Sequence, residues 1–102
     1  LLTGLSSSVQ WSDIEELKAQ GVPLIDVRTE SEFARGHIPG ALNIPVDQLR
    51  ERMNEIPMGK VVVSCQVGQR GHTAAMLLRE HGYDASNLDG GYRTWSSSPA
   101  AQ

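Results

Sequence analysis

The chain has 102 residues, 39% hydrophobic and 21% charged, and its nine lysines and arginines against twelve aspartates and glutamates leave a net charge of −3. This length supports one core and one domain; the basic residues are scattered rather than clustered, which argues against a nucleic-acid partner, and no apolar stretch approaches the roughly 20 residues of a membrane helix. A single cysteine excludes an internal disulfide and a cysteine-based zinc site, so a reducing cytoplasm is the expected location.

Leu1 to Ser8 read as a linker, too short and too polar for a signal peptide; with no start methionine at Leu1, the domain is expected to be excised from a longer protein. The folded unit is expected over residues 9–96, followed by a frayed tail over 97–102, where Ser96-Ser97-Ser98-Pro99-Ala100-Ala101-Gln102 has no core-forming residue. Ser12-Asp13-Ile14-Glu15 reads as a capping box opening a helix that runs to about Ala19, with Gly21 beyond its end. Leu24-Ile25-Asp26-Val27 reads as a buried strand. Thr29 or Ser31 then caps a short helix through Phe33 to Gly36, and Ala41-Leu42-Asn43-Ile44 forms a brief strand closed by Pro45.

Val46, Leu49, Met53 and Ile56 recur at helical spacing, with Asp47, Arg50, Glu51, Arg52 and Glu55 on the outer face, so one amphipathic helix is expected before Pro57 and Gly59. Val61-Val62-Val63 shows no alternation, as in a central parallel strand covered on both faces. A helix over 72–81 buries Ala74, Leu77 and Leu78 and stops at Gly82. Ser86-Asn87-Leu88 is a weak strand before Asp89-Gly90-Gly91, and Tyr92 to Trp95 form a short helical turn with Trp95 in the core. Strands alternating with helices predict an α/β domain of three layers, a mostly parallel central sheet flanked by helices.

Between the valine strand and the helix after it lies Ser64-Cys65-Gln66-Val67-Gly68-Gln69-Arg70-Gly71. A lone cysteine is usually a small buried hydrophobe, but such a residue belongs inside Val61 to Val63, whereas Cys65 follows the strand among turn-forming residues. Strand, tight loop and helix N-terminus make a cradle whose backbone N–H groups converge and whose helix adds partial positive charge, a place suited to an anionic sulfur. Ligands of parallel sheets bind beyond the carboxyl ends of the strands, where Cys65 lies. Gly68 is expected to let the loop adopt positive φ or approach the sulfur closely.

These residues resemble the rhodanese-like sulfurtransferase domains. The likeness rests on Asp26-Val27-Arg28 with Glu32-Phe33 and Gly36-His37-Ile38-Pro39-Gly40-Ala41, on the loop from Cys65 to Arg70, and on Leu88 with Gly90-Gly91 and Trp95, spanning about residues 10 to 96. It implies a rhodanese-like fold and a persulfide carried on Cys65 as the catalytic residue, with the loop Gln66, Val67, Gly68, Gln69, Arg70 and Gly71 binding the substrate sulfur. The wording of the loop is most similar to that of rhodanese domains joined to the C-terminus of coenzyme A-disulfide reductase-like flavoproteins, which implies an attached flavoprotein partner. One departure stands out: many members have serine after the loop arginine, where this chain has Gly71, so a capping hydroxyl is missing.

Sulfur transfer needs a thiolate, and an ordinary cysteine with a pKa near 8.5 is only about 3% ionised at pH 7; the cradle is expected to raise that fraction. Arg70 either closes the loop by pairing with a carboxylate or meets an anionic donor. Arg28 and Glu32 either contact the loop or pair with each other. His37 is expected to hold its turn through a backbone hydrogen bond, His72 is placed to attract a negatively charged substrate, and Gly90-Gly91 make a tight turn that approaches the loop. No metal and no organic cofactor are expected, since no ligand cluster or nucleotide fingerprint is present; the expected partners are a small sulfane-sulfur donor and a thiol acceptor. Two other readings stay open. Cysteine phosphatases also ring an anion with a thiolate and an arginine, but with five intervening residues where Cys65 and Arg70 have four, and with histidine where this chain has Ser64. A regulatory or docking module would keep the fold without turnover.

Overall fold

The computed structural model describes residues 8–67 and 69–101. Five parallel strands form one sheet: β1 (Ser8–Val9), β2 (Leu24–Asp26), β3 (Leu42–Asn43), β4 (Lys60–Ser64) and β5 (Asp84–Leu88), in the order β1-β5-β4-β2-β3. Helices α1 (Ile14–Ala19), α2 (Glu30–Arg35), α3 (Leu49–Arg52), α4 (Gln69–Glu80) and α5 (Gly91–Ser96) connect and cover them. The expected α/β architecture is observed, and the valine strand is the central one. Its alternation decides the layers: Val61 and Val63 point into a core with Ala74, Ala75 and Leu78 of α4 and Leu49 of α3, while Val62 points into a second core with Ile14 of α1 and Trp95 of α5. A strand buried on both faces has no polar side to show, which is why its sequence reads as an unbroken apolar run.

Several local expectations are corrected. The first helix is preceded by a 3-10 turn over Trp11–Asp13, in which the Asp13 carboxylate accepts the Gln10 N–H at 2.9 Å; Ser12 lies inside this turn and is not the cap. The stretch from Val46 to Ile56 is not one helix but 3-10, α and 3-10 segments in succession, Val46–Gln48, Leu49–Arg52 and Met53–Glu55. The buried Tyr83 Oη lies 3.0 Å from Met53 O and 2.8 Å from Ile56 O, so its hydroxyl caps carbonyls at the end of this stretch, where Pro57 has no N–H to offer Met53 O.

Helix α4 begins at Gln69 rather than His72, and so includes Arg70 and Gly71 in its first turn. Ser8, assigned above to the linker, pairs with Asn87 in β1, and the rest of that segment lies outside the described residues. In the tail, Ser98 is buried and a 3-10 turn spans Pro99–Ala101. Thr29 caps α2 as expected: its Oγ accepts the Glu32 N–H while Glu32 Oε1 accepts the Thr29 N–H.

Candidate active site

Cys65 directly follows the central strand, and the parity that sends Val61 and Val63 toward α4 sends Cys65 the same way. It lies deeper than its turn-forming neighbours imply: only 1% of its surface is exposed, and it closes the top of the core that holds Ile25, Val27 and Val63. Helix α5 grips the loop from the other side. The N–H of Tyr92 donates to Cys65 O at 2.7 Å and that of Arg93 to Gln66 O at 3.0 Å. A trans peptide sets its N–H opposite its carbonyl, so holding these two carbonyls on α5 turns the N–H groups of Gln66 and Val67 away from α5. Gly91 permits this grip, because a Cβ there would lie 2.8 Å from both Gln66 C and Gln66 O. The expected close turn at Gly90-Gly91 is thus present.

Arg28 fastens three further elements to the loop. Its Nε–H and Nη2–H groups donate to the Asp26 carboxylate at 3.0 and 2.8 Å, Nη2 also donates to Gly36 O at 2.7 Å, and Nη1 donates to Gln66 Oε1 at 3.2 Å. The guanidinium stacks over Tyr92, 4.4 Å from the ring centroid. Both charged side chains are buried, so a guanidinium whose planar fork can serve several acceptors at once is the suitable cation. Asn43 Nδ2 donates to Asp26 O and Arg28 O, both at 3.0 Å, and locks the turn that presents the pair.

Arg70 forms a two-pronged ion pair with Glu32, Nη1 to Oε1 at 2.8 Å and Nη2 to Oε2 at 3.1 Å. Arg28 and Glu32 therefore do not pair with each other; each reaches the loop or its helix separately. The hydrogen bond from Arg70, helped by those from Thr29, holds the Glu32 carboxyl down at about 2, against the opposing effect of burial. Arg70 in turn is kept protonated beyond an ordinary arginine, first by its bond to Glu32 and also by the negative charge of Cys65.

A family model described as the rhodanese-like domain matches residues 11–98. The chain belongs to the rhodanese-like domain family. This rhodanese-like domain is 41% identical to Bacillus anthracis CoADR-RHD, with a TM-score of 0.86 over 91% of the chain, and it covers 17% of that much longer polypeptide. It is 37% identical to the thiosulfate:glutathione sulfurtransferase of Homo sapiens, covering 86% of this chain and 91% of the relative. It is 33% identical to the thiosulfate sulfurtransferase GlpE of Shewanella oneidensis, with 85% and 88% covered.

Among the residues singled out from sequence, Cys65, Gln66, Arg28, Glu32 and Arg70 come together at this end of the sheet of the rhodanese-like domain. Val67 is 48% exposed, Gln69 is exposed in the first turn of α4, and Gly68 lies outside the described residues. His72 is exposed. His37 stacks on Phe33 and its Nδ1–H donates to Phe33 O at 2.9 Å, a structural bond. Gly71 is buried, and a Cβ there would meet the amide end of the Asn87 side chain, so a serine at this position needs that side chain to turn aside. Asp26, Asn43 and Tyr92 were not assigned roles from sequence. The spacing of Asp26 and Arg28 at a strand end was the signal available for the first; nothing local announces the other two.

The Glu32–Arg70 pair makes stability depend on pH. A carboxyl whose folded pKa is about 2, against 4.5 when free, stabilises the fold fully above pH 4.5 and loses that contribution as pH falls through 2. Both side chains are partly exposed, so solvent screening reduces the contribution to about 1 kcal/mol. Urea unfolding of wild type and Glu32→Gln should therefore differ by about that amount at pH 7 and converge as pH falls from 4.5 toward 2. A difference independent of pH would show that the ion pair contributes nothing.

Proposed function

We propose that this domain is a thiosulfate or persulfide sulfurtransferase that carries sulfane sulfur on Cys65. The observation that carries the reading is the grip of α5 on the Cys65 and Gln66 carbonyls, which turns successive N–H donors away from α5 at the end of the central strand, where α4 begins. Such donors stabilise negative charge without reorganising during the reaction. In the first half-reaction the Cys65 thiolate attacks the outer sulfur of thiosulfate. The bond from Sγ to that sulfur forms as the bond to the sulfonate sulfur breaks, and sulfite leaves with the electron pair. In the second, an acceptor thiolate attacks the outer sulfur of the persulfide, the Sγ–S bond breaks with its electron pair returning to Cys65, and the acceptor departs as a persulfide.

Both steps are displacements at sulfur and call for no metal or organic cofactor. The names of the relatives support thiosulfate as donor and a small thiol as acceptor. The loop arginine is committed to Glu32, so it holds the loop and leaves donor capture to the backbone.

The domain works as part of a larger sulfur-handling protein, with a flavoprotein disulfide reductase domain as its attached partner. Tethering raises the partner's effective concentration to about the millimolar range. Intact mass should rise by about one sulfur, roughly 32 Da, on incubation with thiosulfate and fall back on treatment with a dithiol. Cys65→Ser should show no gain. Labile sulfur on Cys65→Ser, or none on wild type with any sulfane donor, would overturn the reading.

A further inference from the structure

A cleft of about 460 Å³ opens between the 3-10 turn at Trp11 and the C-terminal half of α5, lined by Trp11, Arg93, Thr94, Ser97, Ser98 and Pro99. Its volume falls within the roughly 300–1,000 Å³ of clefts that hold small organic ligands. None of its walls comes from the loop of Cys65. Trp11 packs against the second core and is half-buried, so the remainder of its indole is left to form wall. Arg93 is the one charged residue among the six; it is exposed, and its guanidinium has no ion pair, hydrogen bond or ring contact among the described residues. The acid four residues earlier, Asp89, is bonded instead by the Gln10 side chain at 3.3 Å. The carbonyls that end α5 bring little free negative charge, because Ser96 Oγ donates to Arg93 O, the Ser97 N–H to Thr94 O, and Ser98 to Trp95 O through both its N–H and its hydroxyl. In a chain of net charge −3, this cleft is positive.

We propose that this cleft binds a small planar anion, its flat ring seated on the Trp11 indole and its acidic group on Arg93. The site is separate from the sulfur-transfer chemistry and does not rest on that reading. An indole takes a flat ring in an offset stack or edge to face, and a guanidinium fork takes either a carboxylate or a phosphate. The two sources of the acidic group are therefore separated by the choice of probe. The Ser97 hydroxyl, exposed and without a side-chain partner among the described residues, adds a hydrogen-bond donor to the same wall. A ring without charge would leave Arg93 unmet, and a small anion without a ring would leave Trp11 uncovered.

The test titrates the full chain with naphthoate and adenosine monophosphate and with their neutral counterparts, naphthamide and adenosine, followed by calorimetry and by amide and indole N–H chemical shifts. At least one of the two anions should bind more tightly than its neutral counterpart, with the shifts centred on Trp11, Arg93 and Ser97. The tighter of the two identifies carboxylate or phosphate as the preferred acidic group. Arg93→Glu should weaken that binding about fivefold or more, and Arg93→Gln by a smaller factor; both keep the backbone N–H that holds Gln66 O. Trp11→Leu, which keeps an apolar side chain against the core, should weaken it as well. Arg50→Glu, an identical charge change at an exposed site on α3, should leave the affinities unchanged. No binding of any probe at millimolar concentration, equal affinity for anion and neutral counterpart, shifts centred on the loop of Cys65 instead, or a loss shared equally by Arg50→Glu would overturn the proposal. The mass gain on Cys65 separately decides the sulfur-transfer reading.

Discussion

Arg28→Ala should destabilise the domain by about 3–5 kcal/mol, the range for leaving one member of a buried ion pair without its partner. The side chains of Arg28 and Asp26 are 3% and 1% exposed, so the orphaned carboxylate could not recover its charge–charge partner from solvent. The loss extends beyond charge, because Gly36 O and Gln66 Oε1 lose a donor and the Tyr92 ring loses its stacked cation. Arg28→Lys should recover little, since an ammonium cannot span the carboxylate, Gly36 and Gln66 from one plane. Urea unfolding checks both. Replacing both partners, Asp26→Leu with Arg28→Met, removes the buried charges together and should regain part of the stability. Sulfur loading should not recover with it, because Gln66 stays untethered. A loss below about 1 kcal/mol in Arg28→Ala would mean that water reaches the pair.

Gly91→Ala is the second large effect. Gly91 has φ of +61°, and its Cβ would stand 2.8 Å from the carbonyl carbon and oxygen of Gln66 and collide with the Cys65 oxygen. All of these are backbone atoms, which have no rotamer to give. Gly21 provides the comparison: its φ is +83° with nothing within 4 Å of a built Cβ, so Gly21→Ala carries only the left-handed cost of about 1–2 kcal/mol. Gly91→Ala should cost about 3 kcal/mol or more and should slow sulfur loading, because α5 must release the loop to make room. Equal destabilisation by the two substitutions would show that the loop carbonyls move freely and that α5 does not position them.

Much of the architecture was legible because it is written in local patterns. An unbroken valine run between turn residues reads as a doubly covered central strand, and Val61 to Val63 occupy that place. Thr29 and Glu32 cap α2 through contacts three residues apart, and Gly21 and Gly82 stop their helices where no other residue adopts the backbone conformation as easily. The errors fell at the ends of elements and at the sheet edge. Val46 to Ile56 has a helical stripe, yet it folds as three short segments in succession, and the Tyr83 hydroxyl, which arrives from beyond α4, caps only its last carbonyls. The Gln10–Asp13 bond displaces the box read at Ser12, and β1 forms on two residues only because β5 offers an open edge.

The same division runs through the candidate site. The sequence by itself determined that one cysteine ends the central strand and begins a tight loop, that an arginine stands four intervening residues later, and that glycines and an arginine–aspartate motif accompany them. These are matters of order and spacing along one segment. Only the tertiary structure decided which charges pair: Arg28 with Asp26 and Gln66, Arg70 with Glu32, and Arg35 with no described residue. It also decided that Tyr92 and Arg93 hold the loop carbonyls, that the Asn87 side chain lies against Gly71, and that Cys65 lies buried. Each of these joins residues far apart in the chain, and ion pairing and steric exclusion act over a few ångströms of space whatever the separation in sequence, so they come into being only when the sheet has brought its strand ends together.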